Sequence, residues 1–148
     1  MNSLYRENPA RGDAAAGLRR PWIVLSVADR ERLQVIAMNA LLENPRVAGS
    51  LLEEIDRAEV LPDGVQAPDR VGLGSSVEYR DLDRRETRTV LIVETARADG
   101  DLELCVLSPL GVALIGMGAG QCIIVSDRCG SEWPLQVVEV TRAQHAAR

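Results

Sequence analysis

The stretch Leu107-Ser108-Pro109-Leu110-Gly111-Val112-Ala113-Leu114-Ile115-Gly116 joins two apolar alternating runs and carries the start and stop signals of a short helix. The Ser108 hydroxyl can accept a hydrogen bond from an amide of the first turn, and Pro109 suits the first helical position because an N–H is not needed there. Gly116 can adopt the left-handed conformation that ends a helix. The sequence therefore predicts a helix of about two turns. Because its side chains are almost all apolar, we expect this helix to pack against a sheet or a partner.

The same residues carry a family resemblance. Ser108 to Gly116, followed by Gly118-Ala119-Gly120-Gln121, resembles the signature of the C-terminal domain of the bacterial Gre transcript-cleavage factors. It is still more similar to their short relatives, the regulator of nucleoside diphosphate kinase family. The resemblance extends from about Pro21 to Thr141. In these families an acidic residue often follows the last glycine, where this chain has Gln121.

Length and composition indicate a globular protein of one ordinary domain or two small ones. The chain has 148 residues, of which 46% are hydrophobic and 26% charged. Its net charge of -5 argues against non-specific nucleic-acid binding, which depends on neutralising phosphates, and leaves open a partner with a basic surface. The sequence contains no lysine, which excludes Schiff-base chemistry, a phosphate-loop lysine and a lysine general base.

The N-terminal part predicts a disordered tail over residues 1–20 and a helical hairpin over residues 21–60. We expect the apolar run from Pro21 to Leu25 to pack beside the next element. Ser26 and Asp29 then have the spacing of a capping box. An apolar stripe at helical spacing predicts a first helix that ends near Glu43. The stripe consists of Leu33, Ile36, Ala37, Ala40 and Leu41.

A second helix is predicted to start at Asn44-Pro45, because proline suits the first helical position. Its apolar stripe consists of Ala48, Leu51, Leu52, Ile55 and Ala58. Two amphipathic helices joined by so short a turn must pack antiparallel to bury both stripes. The sequence therefore predicts a hairpin roughly 20–25 Å long.

The C-terminal part changes to the twofold period of strands. Residues 61–72 predict a linker, because proline, glycine and aspartate recur there. Residues 73–142 predict about five strands, with turns at 81–85, 98–101 and 127–131 and the short helix between the third and fourth strands. The apolar run Cys122-Ile123-Ile124-Val125 suits a central strand that is buried on both faces. Residues 143–148 predict a polar tail.

This order of elements is typical of an α+β protein. With the family resemblance added, we expect a short antiparallel helical hairpin followed by an FKBP-like antiparallel β domain with one short helix.

The cysteines and the apolar runs bear on the compartment. Cys105 and Cys122 lie in strand-like apolar runs, which indicates buried thiols, and Cys129 lies in a polar turn and is expected to be exposed. We therefore expect a reducing, cytoplasmic environment. Neither a secretory signal nor an apolar run long enough to span a membrane is visible.

The ionisable residues do not form a recognisable catalytic or metal-binding motif. The only histidine, His145, lies in the C-terminal tail, so no histidine-based catalytic pair can be built from the ordered parts. The carboxylate pairs Glu53/Glu54 and Asp81/Asp83 lie on polar surfaces and favour a structural role over a catalytic one. We expect no catalytic residue, no metal and no cofactor, and hence a protein that is not an enzyme.

The FKBP-like resemblance adds one enzymatic alternative, a peptidyl-prolyl isomerase. Such an enzyme needs a pocket lined by aromatic side chains. This chain has no phenylalanine, and we expect its aromatics not to assemble into such a pocket. They are Tyr5, Trp22, Tyr79 and Trp133.

The predicted hairpin tip comprises Glu43, Asn44, Pro45 and Arg46. In the Gre family, acidic residues at the tip of a long coiled coil hold a magnesium ion that promotes cleavage of backtracked RNA. Here Glu43 is the only acidic residue near the turn and Arg46 adds opposing charge, which makes a poor site for a cation that needs several oxygen ligands. Cleavage activity is therefore not expected, and Glu43 as a solvated carboxylate at a helix end is the alternative interpretation.

The resemblance also implies a partner-binding segment. The Gre C-terminal domain docks at the rim of the secondary channel of RNA polymerase, through a loop and helix that match Leu107, Ser108, Pro109, Leu110 and Gly111. A turn held by proline presents Leu110 with little entropy to lose on docking, although Leu110 as a core residue is an equal alternative. Asp81 and Asp83 are candidates for contact with a basic polymerase surface, with a solvated turn as the alternative.

The sequence hypothesis is therefore a non-catalytic regulator, a monomer or weak dimer, that binds bacterial RNA polymerase near the secondary channel and competes with Gre-type factors. The resemblance implies an effect on nucleoside diphosphate kinase levels. The alternative is a protein-interaction module for another partner, such as that kinase. We expect neither sequence-specific nucleic-acid binding nor membrane association.

Overall fold

The N-terminal half forms the predicted helical hairpin. The computed structural model describes residues 20–95, 102–126 and 129–142. Helix α1 (Val27–Ala40) and helix α2 (Pro45–Arg57) bury facing apolar stripes against each other, as the helical periodicity requires. Helix α1 ends at Ala40 rather than near Glu43, because the chain turns at residues 41–43 before α2 begins.

The start of α1 departs in part from the predicted capping box. The Ser26 hydroxyl accepts a hydrogen bond from Asp29 N at 3.1 Å, as predicted. The Asp29 carboxylate binds the Arg142 guanidinium, with 2.8 Å between Oδ2 and Nη2. A long-range ion pair thus uses the carboxylate that local spacing had assigned to the cap.

Two short strands flank the hairpin. Strand β1 (Val24–Leu25) precedes α1 and pairs in parallel with β2 (Glu59–Val60), which follows α2. The apolar run predicted to pack beside the next element therefore pairs with the segment that leaves the hairpin. This pairing joins the two ends of the hairpin.

The C-terminal half contains a five-stranded sheet in the order β5-β4-β3-β7-β6. The strands are β3 (Ser75–Asp81), β4 (Glu86–Val93), β5 (Glu103–Cys105), β6 (Cys122–Ser126) and β7 (Glu132–Arg142). Most neighbours are antiparallel, but β4 and β5 are parallel, so the sheet is mixed rather than antiparallel as predicted.

The prediction that Cys122 to Val125 forms a central strand is wrong. Strand β6 lies at the edge of the sheet and pairs only with β7. Ile123 and Val125 are buried, whereas Cys122 and Ile124 are only half-buried. Ile124 lines a groove beside α2, and this groove, rather than a second layer packed over the strand, accounts for its apolar side chain.

The short helix α3 (Pro109–Leu114) lies between β5 and β6, as predicted. The Ser108 hydroxyl accepts from Gly111 N at 3.0 Å and donates to the Cys105 carbonyl at 2.6 Å. Gly116 follows the helix with φ +79°, the left-handed conformation that ends it. Both ends of the predicted helix signal are therefore confirmed.

The hairpin and the sheet share one hydrophobic core, which includes Leu33 and Leu51 from the hairpin and Val77 and Leu135 from the sheet. Polar contacts also join them. Val24 N donates to Gly116 O at 3.0 Å, close to the end of α3. These contacts set the position of the hairpin tip relative to α3.

Gln121 forms a second polar link between the two parts. Its amide nitrogen donates to the Trp22 carbonyl at 2.8 Å, and its amide oxygen accepts from Gly118 N at 2.8 Å. A carboxylate at this position could accept the second hydrogen bond but could not donate the first.

The remaining predictions concern the burial of the cysteines, membrane-spanning helices, and the tails and turns. Cys105 and Cys122 are half-buried rather than fully buried, because β5 and β6 are the sheet edges, and Cys129 is exposed as predicted. No helix in the described ranges is long and apolar enough to cross a membrane. The predicted tails, the turn at 98–101, the start of the turn at 127–131, and His145 lie outside the described residues.

Candidate functional site

The segment predicted to bind a partner lies at the start of α3. Leu110 is half-buried and packs against the hydrophobic core. It also lines a surface cleft, which we call the apolar groove, of about 240 Å³. The other side chains that form this groove include Leu104, Pro109, Val125 and Trp133. Leu110 therefore contributes to the core and to the surface, and the two interpretations of this residue are compatible.

The other members of the segment have structural positions. Leu107 packs against the core, and Gly111 is buried beneath the helix start. Ser108 and Pro109 line the apolar groove. Of the five residues of the segment, three thus line the surface cleft, namely Ser108, Pro109 and Leu110.

Asp81 is the last residue of β3, and Asp83 lies in the turn between β3 and β4. Asp81 Oδ1 accepts from Asp83 N at 2.9 Å and from Arg84 N at 3.0 Å, so this carboxylate stabilises the turn. The Asp83 residue is exposed. Of the two predicted carboxylates, Asp83 is the more available for a partner.

Both carboxylates line a second cleft, which we call the acidic-turn groove, of about 440 Å³. Its charged residues are Asp81, Asp83, Arg84, Glu86, Arg88 and Glu132. Four carboxylates and two guanidinium groups give this groove a net negative but mixed character. Mixed charges favour orientation and encounter rate more than affinity.

Trp133 lines both the acidic-turn groove and the apolar groove. It therefore connects Leu110 with Asp81 and Asp83, which are far apart in the sequence. The sequence pattern predicts a strand around Trp133 and indicates no further role for this residue. Its signal was a large aromatic beside a turn, on a surface where aromatic side chains often contribute to partner binding.

Tyr79 also lines the acidic-turn groove, although the residue is almost fully buried. Burial raises the pKa of its hydroxyl above the usual value; Arg88 lowers this pKa, and Asp81 adds to the rise. The hydroxyl therefore stays protonated at neutral pH. Tyr79 and Trp133 both line this groove, and charged side chains make up most of its remaining lining.

The fold places the four residues of the predicted hairpin tip in two different environments. Asn44 and Arg46 line a third cleft, the hairpin groove, together with Pro109 of α3. Glu43 and Pro45 are exposed at the turn itself. The tip and the α3 segment, which are separate candidates in the sequence, therefore lie beside one continuous surface that is connected through Pro109.

Leu42 is a further tip residue that sequence reasoning did not single out. It is 97% exposed, although a leucine at helical spacing normally indicates a buried stripe. Within the described ranges, no group of three or more His, Cys, Asp or Glu side chains is arranged to hold a metal ion. The tip thus presents one carboxylate, one apolar side chain and one guanidinium.

Two family models match the chain. Residues 21–61 match the model described as Rnk N-terminus, and residues 66–142 match the model described as Transcription elongation factor, GreA/GreB, C-term. The chain belongs to the GreA/GreB family. This Gre-family chain carries an Rnk-type N-terminal domain in front of the GreA/GreB C-terminal domain.

Individual relatives agree with this assignment. The regulator of nucleoside diphosphate kinase of Escherichia coli K12 is 32% identical over 136 residues, which cover 88% of this Gre-family chain and 96% of the relative. The transcription elongation factor GreA of Methylobacterium nodulans is 31% identical over 124 residues and 78% of each protein.

A solved structure of the GreA/GreB factor from Nitrosomonas europaea has a TM-score of 0.62 and 29% identity, and the match covers 82% of this chain and 98% of that one. The fold is therefore GreA/GreB-like, with N-terminal helices and a curled sheet. The relatives identify a transcription-factor-like regulator.

Proposed function

We propose that this protein is a non-catalytic regulator that binds RNA polymerase near the secondary channel and competes there with Gre-type factors without stimulating transcript cleavage. The proposal is carried by one observation: Leu110 of the segment expected to dock and Trp133 of β7 line one apolar groove of the GreA/GreB domain. We expect it to act in the cytoplasm, where the polymerase is.

The apolar groove has properties suited to docking. Its lining is almost entirely apolar, and the Ser108 cap and Pro109 hold the backbone beneath it. Because little conformational freedom remains at this helix start, docking has a small entropic cost. Trp133 supplies the large aromatic anchor that is common at the centre of protein interfaces.

The acidic-turn groove adjoins this anchor and supplies charge. Asp83 is exposed there. Trp133 lines both clefts and therefore links the cleft that contains Asp83 with the cleft that contains Leu110. An apolar contact beside negative charge suits a partner surface that is basic around an apolar centre. We propose that a basic region at the channel rim provides that surface.

The hairpin explains why cleavage is not part of the proposal. Helix α1 has 14 residues and α2 has 13, so the hairpin is only about 20 Å long. At its tip Glu43 is accompanied by the exposed Leu42 and by Arg46. A magnesium ion needs several oxygen ligands, and this tip offers one carboxylate.

A cleavage assay on backtracked elongation complexes tests the proposal. We expect no cleavage from this protein alone and, when it is added in excess to a Gre cleavage factor, a progressive loss of cleavage. A control reaction omits the Gre factor and retains magnesium. Stimulation of cleavage by the protein alone, or unchanged Gre activity at saturating protein, would contradict the proposal.

The name of the Escherichia coli relative supports a second candidate, an interaction with nucleoside diphosphate kinase or its levels. Co-purification separates the two candidates. Recovery of polymerase subunits supports the first, and recovery of the kinase without polymerase supports the second.

A further inference from the structure

Strand β6 leaves one row of backbone hydrogen-bonding groups facing away from the sheet. It is an edge strand, and Ile124 lies opposite Pro134 of β7. Proline has no N–H. Three residue pairs along the strand, Val137 N donates to Gln121 O at 2.9 Å, so that pair is hydrogen-bonded. Because bonded and non-bonded pairs alternate in an antiparallel ladder, Ile124 forms a non-bonded pair. Its N–H and C=O therefore point outward.

The hairpin groove runs along this edge. Both Ile123 and Ile124 line it, although successive side chains of a strand point to opposite faces. A cleft in contact with both residues must lie along the edge rather than on one face. Val47 and Ser50 of α2 form another part of the groove wall. Its volume is about 740 Å³, within the usual range of binding clefts.

The outward groups of Ile124 are available. Among the described residues, neither its N–H nor its C=O has a hydrogen-bond partner outside the β6–β7 ladder. An exposed row of this kind is a template for another extended chain, which binds through main-chain hydrogen bonds. The backbone chemistry of the groove thus matches a strand better than a helix or a small molecule.

The side chains of the groove indicate the composition of that strand. Arg46 is exposed, and none of the ion pairs between described residues involves it. The acidic group of the groove, Glu54, is neutralised by Arg57, with 2.8 Å between Oε1 and Nη2, and lies 3.8 Å from Arg20. The groove is therefore net positive at its Arg46 end.

The remaining lining is mainly apolar and comes from α3 and β6. Val112 and Ile123 are buried residues whose edges reach the groove, and Ala113 lies beside them. A strand that alternates between apolar and acidic residues would place the first type on this wall and the second toward Arg46.

We propose that the β6 edge binds an extended segment of a partner protein in which β-branched apolar residues alternate with acidic residues. The N-terminal residues 1–20 of this chain carry four arginines, Arg6, Arg11, Arg19 and Arg20, against two acids, so their charge does not match. This proposal does not rest on the polymerase contact proposed above, although the hairpin groove and the apolar groove share Pro109.

Fluorescence polarisation with two labelled heptapeptides tests this proposal. One alternates Glu with Val, and the other alternates Lys with Val. We expect the acidic peptide to bind at least about tenfold more tightly, and Arg46→Glu to reverse this preference. Arg30→Glu, a charge reversal at an exposed position of α1 that lines none of the three grooves, is the matched control and should leave the preference unchanged.

The backbone contact is tested by comparing two variants at one position. Ile124→Pro removes the outward N–H, and proline is tolerated where an edge strand faces solvent, whereas Ile124→Ala keeps the N–H and loses the side chain. We expect Ile124→Pro to weaken binding at least about tenfold and Ile124→Ala less than about threefold. Circular dichroism confirms that each variant folds.

A second measurement covers the case in which Ile124→Pro does not fold. The acidic peptide is methylated on alternate backbone nitrogens, in either register, and one register should lose binding. Equal binding of both registers, equal effects of the two Ile124 variants, or no binding of the acidic peptide would overturn the proposal. A dimer of this protein that the proline variant dissociates would also overturn it, because the occupant would then be a second copy.

Discussion

Two helices in this protein begin with a polar residue followed by proline, and their starts differ. At α3, the Ser108 hydroxyl accepts from Gly111 N and donates to Cys105 O. At α2, the Asn44 side chain makes no cap hydrogen bond, and its backbone has φ -143° and ψ 66°. One start is fixed by side-chain hydrogen bonds, and the other depends on its backbone.

The space around the glycines of the two helices also differs, and it is smaller in α3 than in α2. A Cβ at Gly111 of α3 would lie 2.3 Å from the Cys105 carbonyl oxygen and 2.9 Å from Val106 Cα. A Cβ at Gly49 of α2 would have no heavy atom within 4 Å. The start of α3 is therefore packed closely against the end of β5, whereas the hairpin has room. The difference indicates that the start of α3 is more closely packed than α2 is around Gly49.

The largest expected effect is that of Gly111→Ala. The new methyl group would meet backbone atoms that cannot rotate away, so we expect the free energy of unfolding to fall by about 2–3 kcal/mol. Urea denaturation monitored by circular dichroism measures it. A change below about 0.5 kcal/mol would show that the contact between α3 and β5 is looser than described.

Ser108→Ala should have the next largest effect. It removes one cap hydrogen bond to Gly111 and one to Cys105, and we expect a loss of about 1–2 kcal/mol. The midpoint of thermal unfolding should fall by several degrees, at about 2–4 °C per kcal/mol for a chain of this size. Equal stability of the variant and the parent would remove the basis for a rigid helix start.

Gly49→Ala should stabilise the protein. Because the site is open and helical, alanine reduces the entropy of the unfolded chain at no steric cost, and we expect a gain of about 0.5–1 kcal/mol. The same urea titration measures the gain. A loss of stability would mean that α2 is packed as closely as α3.

The smallest effect is expected for Asn44→Ala, the counterpart of Ser108→Ala. With no side-chain cap to lose, the unfolding free energy should change by no more than about 0.5 kcal/mol. Parallel measurement of the two alanine variants gives the comparison directly. Equal losses at Ser108 and Asn44 would contradict it.

Local signals allowed the two helix starts and the end of α3 to be predicted from the sequence. Ser108, Pro109 and Gly116 specify a cap, a first position and a left-handed end within one short segment. The twofold alternation of apolar and polar residues that predicts the strands is also a local signal. The position of β6 at the sheet edge and the parallel pairing of β4 with β5 depend on distant segments, so an apolar run could not reveal them.

The candidate site was predictable in its parts but not in its assembly. Leu110 and Asp83 were recognised separately, while Trp133, which connects their grooves, joins them only through the pairing of β7 with its neighbours. The role of Asp81 was missed for a similar reason, since its carboxylate is occupied by its own turn. Spacing along the chain does not report such use of a side chain.

The measurement that tests the central claim most directly is the binding of bacterial core RNA polymerase to the labelled parent, Leu110→Glu and Val35→Glu by fluorescence anisotropy. Val35 is 57% exposed on α1, lines none of the three grooves, and provides a matched apolar-to-acidic control. We predict that the parent and Val35→Glu bind alike, that a Gre factor displaces both, and that Leu110→Glu binds at least about tenfold more weakly. Equal binding of all three proteins, or no binding of the parent at micromolar polymerase, would contradict the account.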